Sequence, residues 1–473
     1  MVFSSITFLL YFLPVFLVCY HLVGKRYKNA VILLSSIFFY AWGAPKFVFI
    51  LLASTYLDFY LVKWMHETEA SKKKKLLLAL SIFINVGLLA FFKYANFFVE
   101  NINLFFAQIG AAPIKWVEIA LPIGISFYTF QTLTYSIDVY RKVHEPLKKV
   151  SDYVLYIIMF PQLIAGPIVR FNEIADQITG RNETAFDKLS GFYRFCIGLA
   201  KKVLIANVMG KTADKLIGLS PGDMDATTAW VGIAAYTFQI YFDFSGYSDM
   251  AIGLGKMMGF KFPENFNNPY VSKSITEFWR RWHITLGTWM RDYLYIPLGG
   301  SRVSSAARLY FNLWVVFLIS GLWHGASWNF VLWGAFHGFF LVLERMFLLK
   351  AYKKLGAAIS LVVTFFITVC GWVIFRVEDM TLMKTYFAKM FGFEFSGLMS
   401  VVDKEFAFVF VLAFLLSFFV VFPKGQQMQN VFYLPKNKPG NIWAMFVFSI
   451  ILFVFSLAAI SASGFNPFIY FRF

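Results

Sequence analysis

Residues 311–343, FNLWVVFLISGLWHGASWNFVLWGAFHGFFLVL, decide the fold class, because this run contains no Asp, Glu, Lys or Arg. A helix needs about 20 apolar residues to span the hydrocarbon core of a bilayer, so a run of this length predicts two membrane helices. The run also contains His324, between Gly321 and Gly325. An ionisable side chain is costly at membrane depth and should face a cavity or a partner, so it is a candidate functional residue.

The composition of the whole chain agrees with a membrane protein. Of 473 residues, 59% are hydrophobic, 15% are charged and 60 are Phe, which excludes an ordinary soluble enzyme. Lys and Arg number 43 against 26 Asp and Glu, and in a membrane protein this balance indicates cytoplasmic loops rather than nucleic-acid binding. We therefore expect membrane lipids, and no nucleic acid, among its partners.

Other apolar runs predict further membrane helices, about eleven in total by length alone. They are residues 1–23, 29–45, 47–62, 76–92, 119–137, 226–242, 355–375, 406–422 and 441–460. The first run lacks a preceding basic region, so we interpret it as a membrane helix and not as a cleaved signal peptide. No hydrophilic stretch is long enough to bury a core of its own, so we expect a single membrane domain over 1–473.

The distribution of Lys and Arg predicts the orientation, because positive charge is retained on the cytoplasmic side. Basic clusters follow the first, third and fifth predicted helices, at 25–28, 72–75 and 141–149, so the N-terminus is predicted to be extracytoplasmic. Two later clusters, at 350–354 and 424–438, place the segment 461–473 outside as well.

Two segments in the middle of the chain cannot be plain lipid-facing helices. In residues 159–170, Pro161, Gly166 and Pro167 interrupt an apolar run, and residues 264–302 mix charged side chains with tryptophans. Irregular backbone survives at membrane depth only where protein or water satisfies its polar groups. Both segments are therefore predicted to be re-entrant or interfacial elements that line a cavity.

Within the second segment, residues 274–292 predict a helix that starts at a Ser274/Glu277 capping box and carries His283. One interpretation is an interfacial helix with an aromatic belt and snorkelling arginines. The other is a polyanion site, since guanidinium groups match phosphate geometry. Its residues are Lys273, Arg280, Arg281 and Arg291.

The remaining polar residues leave alternatives open. His324 is either a general base or a structural histidine, whereas His337 is better explained as a packed, hydrogen-bonded core residue. Asp243, at the predicted exit of the 226–242 helix, could orient an imidazole, cap a loop or form an ion pair. The asparagines at 265, 267 and 268 precede a proline and are interpreted as turn formers.

Several chemistries lack their sequence patterns. The chain has no H-E-x-x-H, G-x-x-x-x-G-K-[ST] or G-x-S-x-G, which disfavours a zinc protease, a nucleotide hydrolase and a serine hydrolase. Its 3 cysteines are far apart and lack metal-site spacing, so we expect neither a disulfide framework nor a metal site.

The chain resembles the membrane-bound O-acyltransferase family, and within it the bacterial branch that O-acetylates polysaccharides such as alginate and peptidoglycan. The resemblance covers essentially the whole chain. Its segments are LPIGISFY at 121–128, LIAGP at 163–167, YFDFSGYSDMAIG at 241–253, SITEFWRRWH at 274–283, RDYLY at 291–295, GLWHG at 321–325 and GWVIFR at 371–376.

This resemblance implies a helical membrane fold around a central funnel, in the bacterial cytoplasmic membrane, with a cytoplasmic donor and an extracytoplasmic acceptor. His324 matches the catalytic histidine and His283 the second histidine, which lines the tunnel. The implied donor is acetyl-CoA, a substrate and not a permanently bound cofactor, with its phosphates near the basic residues of 273–291.

The final segment also looks like the aromatic tails of this family. Tyr470 is therefore the candidate first acyl acceptor, with an aromatic interface anchor as the alternative. Because the chain carries no soluble acetyl-transferring domain, the resemblance implies an extracytoplasmic, lipase/esterase-like partner that modifies the polysaccharide.

Two functions from other classes compete with the transferase. A polytopic transporter of a small or acylated substrate would explain broken helices and buried charge, but it gives no role to His324 between two glycines. A non-catalytic assembly scaffold would tolerate replacement of His324.

Overall fold

The computed structural model describes residues 1–467, apart from the side chains of residues 399 and 400, and this range contains helices and no strand. The all-α prediction is therefore confirmed. By their internal contacts the residues form two compact units. The first comprises Met1–Val2, Thr7–Glu183 and Gly259–Phe262, and the second comprises Phe3–Ile6, Thr184–Met258 and the chain from Pro263 onward.

The helices of the first unit follow the N-terminal half of the chain. They are α1 (Leu13–Leu22), α2 (Lys28–Gly43), α3 (Phe47–Glu67), α4 (Ser71–Gln108), α5 (Ile125–Tyr140), α6 (Val150–Ile158), α7 (Phe160–Leu163) and α8 (Phe171–Thr179). A π-helical segment, Thr7–Phe12, leads into α1.

The helices of the second unit continue this order. They are α9 (Ala185–Ala200), α10 (Asn207–Ile217), α11 (Ala226–Met257), α12 (Ile275–Arg281), α13 (Ile284–Met290), α14 (Ala306–His324), α15 (Trp328–Leu343), α16 (Leu349–Leu355), α17 (Ala357–Arg376), α18 (Met380–Met390), α19 (Leu398–Val401), α20 (Lys404–Phe418), α21 (Pro423–Tyr433) and α22 (Pro439–Ala462). Short π-helical segments occupy Lys201–Ala206, Arg291–Tyr295 and Glu344–Leu348.

Within residues 1–467, seven helices are long and apolar enough to cross a membrane. Large apolar side chains point outward from them: Phe83 is 74% exposed and Phe408 is 72% exposed. In water such exposure would be unfavourable, whereas lipid is a matched solvent for these side chains. The protein is therefore a polytopic membrane protein, and the total of about eleven spans stays a prediction.

In the first unit, the chain is irregular where the prolines at 161 and 167 predicted it. α6 ends at Ile158, a short helix follows, and the backbone from 164 to 170 is non-helical and almost entirely buried. The protein supplies the missing hydrogen bonds. The Phe160 amide donates to Ser36 Oγ at 3.1 Å, and Gln162 Nε2 donates to the Tyr156 carbonyl at 2.5 Å.

In the second unit, α9 and α11 cross with their backbones in contact. A Cβ on Gly198 would lie 2.4 Å from the Gly246 carbonyl oxygen, and one on Gly191 would lie 2.7 Å from the Gly253 oxygen. Small residues permit such close helix contacts inside membranes. The helix predicted over 226–242 is longer in the structure, because α11 continues to Met257 along this contact.

Candidate active site

The predicted pair of helices in the 311–343 run is confirmed, and His324 lies at its turn. α14 ends at His324 and α15 begins at Trp328. A Cβ on Gly321 would lie 2.2 Å from the Phe330 carbonyl oxygen, and one on Gly325 would lie 2.1 Å from the Phe330 ring. Both glycines therefore allow a close approach, and the group that approaches is Phe330 of the same hairpin.

Aromatic rings surround the His324 imidazole, which is only 8% exposed. Its ring centroid lies 4.9 Å from that of Trp323, 5.0 Å from Trp333 and 5.2 Å from Phe375. Edge-to-face contacts of this kind add to the energy of apolar burial and fix the plane of the ring. These ring contacts hold His324 in place.

His283 also lies in the second unit, but the continuous helix predicted for 274–292 is wrong. Ser274 Oγ accepts the Glu277 amide as predicted, at 3.0 Å, yet α12 ends at Arg281. The backbone of His283 adopts a left-handed conformation, with φ 44°, and α13 begins directly after it. The backbone turns here because the Asn265 carbonyl accepts the Ile284 amide at 2.9 Å.

Asn265 is the residue that the sequence interpretation missed. Its Oδ1 accepts a hydrogen bond from His283 Nδ1 at 3.1 Å and from Thr285 Oγ1 at 2.9 Å, and its Nδ2 donates to Ser248 Oγ at 3.1 Å. As a turn former it would face solvent, but it is 1% exposed. The sequence did contain an indication of this role, because Asn265 lies two residues before the start of the Asn267-Asn268-Pro269 turn. A turn brings the residues on either side of it against the next helix.

These bonds fix the protonation of His283. Asn265 Oδ1 can only accept, so Nδ1 of the imidazole must be the donor, and the lone pair then resides on Nε2. Burial lowers the pKa of His283 to about 3, so the ring is neutral at physiological pH. A neutral, oriented imidazole can act as a hydrogen-bond acceptor or as a base.

The two imidazoles share one neighbour, Trp323. Its ring centroid lies 4.9 Å from that of His324 and 6.0 Å from that of His283. The chain thus brings together two histidines that are far apart in sequence and places a single indole beside both. This arrangement is the candidate active site.

The four basic residues predicted to bind a polyanion all lie in the second unit. Lys273 and Arg280 are exposed at the ends of α12. Arg281 forms a 2.8 Å ion pair with Glu277, and Arg291 forms a 2.7 Å ion pair with the adjacent Asp292. An added anion would therefore meet two exposed cations and two that already have a carboxylate neighbour.

Asp243 is engaged by an ammonium group. Lys202 Nζ lies 2.9 Å from Asp243 Oδ1, with both side chains almost fully buried. The ion-pair alternative for Asp243 is therefore the observed one.

His337 is packed as predicted, with its ring 5.0 Å from those of Trp279 and Trp333. Within the described residues its buried Nδ1 has no hydrogen-bond partner, so the structure confirms the packing, and the hydrogen bond stays a prediction. Tyr470, the predicted acyl acceptor, lies outside the described residues, as do its neighbours from 468 to 473.

Comparison of the sequence with known proteins identifies relatives. Residues 37–377 match the sequence model of the membrane-bound O-acyltransferase family. A Pseudomonas putida protein named "Probable alginate O-acetylase AlgI" is 40% identical over 490 positions, covering 100% of both chains.

More distant relatives have related names. The peptidoglycan O-acetyltransferase of Helicobacter pylori is 36% identical over 416 positions, which cover 80% of this chain and 78% of its own. The teichoic acid D-alanyltransferase of Bacillus subtilis is 30% identical over 284 positions, covering 54% of this chain and 68% of its own. The resemblance noted from the sequence is thus confirmed: this acyltransferase belongs to the membrane-bound O-acyltransferase family.

Proposed function

We propose that this protein takes acetyl groups from cytoplasmic acetyl-CoA and passes them across the bacterial cytoplasmic membrane for O-acetylation of an extracytoplasmic polysaccharide. The single observation that carries the proposal is the pair of buried imidazoles, His324 and His283, beside Trp323. The alginate and peptidoglycan O-acetyltransferases among its relatives support a polysaccharide as the final acceptor.

In the proposed reaction, His324 is the general base. It removes the proton of an acceptor hydroxyl, and the oxygen attacks the thioester carbonyl carbon. When the tetrahedral intermediate collapses, the C–S bond breaks, and the leaving thiolate takes the proton back from the imidazolium as CoA-SH. Every proton is thus returned, and the acetyl group ends as an ester on the acceptor.

His283 supports this reaction. Its Nδ1–H is held by Asn265, so the lone pair on Nε2 has a fixed direction. Because burial keeps the ring neutral, it adds no positive charge that would raise the cost of forming an imidazolium at His324. We assign it to orienting the acceptor or the thioester.

The donor phosphates would be held by Lys273, Arg280, Arg281 and Arg291. Lys273 and Arg280 are exposed, so they supply uncompensated positive charge, while Arg281 and Arg291 would exchange a carboxylate for a phosphate. A bidentate guanidinium–phosphate pair is well suited to that exchange.

The first acceptor in this proposal is Tyr470. The positive-inside distribution of Lys and Arg supports an extracytoplasmic position for the chain from 461 onward and for the N-terminus. The acetyl-tyrosine would then pass its acyl group to a lipase/esterase-like extracytoplasmic partner, which acetylates the polysaccharide.

The test is acetyl transfer from labelled acetyl-CoA by the purified protein, with CoA release and covalent label measured in parallel. Wild type should release CoA and retain label, whereas His324→Ala and Tyr470→Phe should do neither, the first because it lacks the base and the second because it lacks the acceptor hydroxyl. If wild type neither binds nor consumes acetyl-CoA, even with the partner added, the proposed donor is wrong and a transported substrate becomes the better explanation.

A further inference from the structure

The chain beyond α22 returns to the interior of the second unit. After Ala462 it reaches Asn466, whose Nδ2 donates to the Ser4 carbonyl at 2.8 Å and whose Oδ1 accepts from Asn207 Nδ2 at 3.3 Å. The next residue, Pro467, offers its carbonyl oxygen to Lys202 Nζ. Asn466 and Pro467, which form the root of the tail, are therefore held by hydrogen bonds within the second unit.

The tail satisfies a hydrogen-bonding requirement of the buried ammonium group of Lys202. Its side chain is 2% exposed, and a buried ammonium is tolerated only when its hydrogens are bonded. The ammonium donates hydrogen bonds to Asn207 Oδ1 at 2.8 Å and to the Pro467 carbonyl, and Asp243 Oδ1 lies 2.9 Å away as its counter-ion. Asn207 and Asp243 are permanent parts of the helices, and the tail supplies the second hydrogen-bond acceptor.

The same place in the fold is connected to the candidate active site. Asp243 precedes Phe244 on α11, and the Phe244 ring packs edge-on against His283 with 4.7 Å between ring centroids. Gly246, one turn further, lets the π-helical segment that carries Lys202 approach: a Cβ there would lie 3.2 Å from the Lys202 amide nitrogen. The contact between α11 and Lys202 is thus built into the backbone.

We propose that Lys202, Asn207 and Asp243 form a tail-docking site, which anchors Asn466 and Pro467 and so positions Tyr470 for acyl transfer. Three residues of chain extend at most about 11 Å, so the anchor limits where the Tyr470 hydroxyl can go. This inference rests on the proposed function, in which Tyr470 is the carrier. The docking residues are positioning residues and do not touch the reacting atoms.

The test alters the tail and not the buried ion pair, because a variant of Lys202 would leave Asp243 buried without its cation and could fail to fold. In Asn466→Ala the side-chain bonds to Ser4 and Asn207 are lost. The measured quantity is the rate at which Tyr470 of the full-length protein acquires acetyl from acetyl-CoA, followed by mass spectrometry. We expect about a 10-fold slower rate at saturating acetyl-CoA, which corresponds to about one net hydrogen bond.

The half-saturating acetyl-CoA concentration should stay unchanged, because the residues proposed to hold the donor, Lys273, Arg280, Arg281 and Arg291, are not part of the tail root. General damage to the fold would alter both quantities. The matched control is Asn441→Ala, which removes an exposed asparagine that donates to the Lys436 carbonyl; it should label at the wild-type rate.

A second variant fixes the docked state covalently. Ser4 Oγ and Asn466 Oδ1 are 3.2 Å apart, so Ser4→Cys combined with Asn466→Cys, in a Cys19→Ser background, brings two thiols close together for oxidation, and mass spectrometry identifies the molecules in which they have formed a disulfide. The oxidised protein should still acquire label on Tyr470.

The outcomes separate the two proposals. If wild type acquires label on Tyr470 but Asn466→Ala does so equally fast, or if the disulfide blocks labelling until it is reduced, the docking proposal is overturned and the carrier stands. If wild type never acquires label on Tyr470, the carrier itself is wrong, and the docking role falls with it.

Discussion

The two histidines of the candidate site differ in the contacts that hold them in place. His324 ends a membrane helix, and the rings of Trp323, Trp333 and Phe375 pack around it. His283 occupies a left-handed turn between two short helices and is held by a hydrogen bond from its Nδ1 to Asn265. Three aromatic rings thus pack around His324, whereas His283 combines ring packing against Phe244 with a hydrogen bond to Asn265.

The two histidines should therefore be sensitive to different substitutions. A residue that is positioned by packing is displaced when a neighbouring substitution adds volume, since interiors are close-packed and backbone shifts are costly. A site defined by hydrogen bonds fails when a buried donor or acceptor loses its partner. The predictions below test this distinction.

The largest effect is expected from replacement of His324. His324→Gln should lower the rate of acetyl transfer by roughly 100- to 10,000-fold, the usual contribution of a general base, with little change in melting temperature. His337→Gln is the control, because His337 is an equally buried imidazole among aromatic rings. It should lower the rate by less than about 10-fold, and equal losses in the two variants would contradict the assignment of the base.

The packing side of the comparison is tested at Gly321. In Gly321→Ala the new Cβ would lie 2.2 Å from the Phe330 carbonyl oxygen, so α14 and α15 must separate. We expect about 1–3 kcal/mol lower unfolding free energy and reduced transfer, because His324 moves with α14. Thermal unfolding in detergent measures the loss of stability, and a transfer assay measures the loss of activity.

The control for that change is Gly87→Ala on α4, where no atom lies within 4 Å of an added Cβ. There the substitution should raise stability by about 0.5–1 kcal/mol, because alanine is the better helix former. A Gly321→Ala protein as stable as wild type would show that the hairpin is less tightly packed than described.

The polar side is tested at Asn265. Asn265→Ala leaves the donors of His283 and Thr285 without their acceptor, and each buried unsatisfied group costs about 1–3 kcal/mol. The nearby, exposed Asn267 is the control, and Asn267→Ala should change stability by less than about 0.5 kcal/mol. Similar losses from both substitutions would mean that Asn265 is only a turn former.

The smallest effect concerns pH and follows from the neutral state of His283. Burial lowers its pKa to about 3 in the folded protein, against about 6.5 in the unfolded chain. Between these values the unfolded chain binds more protons, so stability falls as pH falls below about 6.5.

At pH 6, protonation of this histidine in the unfolded chain should lower the free energy of unfolding by about 1 kcal/mol relative to pH 8. The His283→Asn variant, in which asparagine tolerates the left-handed backbone, should lose that part of the pH dependence. Melting temperatures of the two proteins across this range provide the measurement, and parallel curves would refute the buried, neutral state.

The sequence predicted the hairpin around His324 because its evidence is local. An uncharged run long enough for two spans, with Gly321 and Gly325 flanking the histidine, contains both the helices and the close contact. The surroundings of His283 are different in kind. The break after Arg281 depends on amide and carbonyl groups of residues 265 and 267, which meet it only after folding.

The length of α11 was missed for a related reason. Acidic residues such as Asp243 and Asp249 usually mark the end of a membrane helix, but here cations from the neighbouring segment neutralise them: Lys202 pairs with Asp243, and Lys201 pairs with Asp249. The signal was present in the sequence, as two adjacent lysines in an otherwise apolar stretch. Nothing in the sequence, however, paired them with α11.

The bond between Ser4 and Asn466 has a consequence for biosynthesis. These residues are 462 positions apart, so a segment that is synthesised early contacts one that is synthesised much later. The bond can therefore form only after the helices between Ser4 and Asn466 have been inserted. A substitution at Ser4 thus weakens the anchor of the tail from the far end of the described chain.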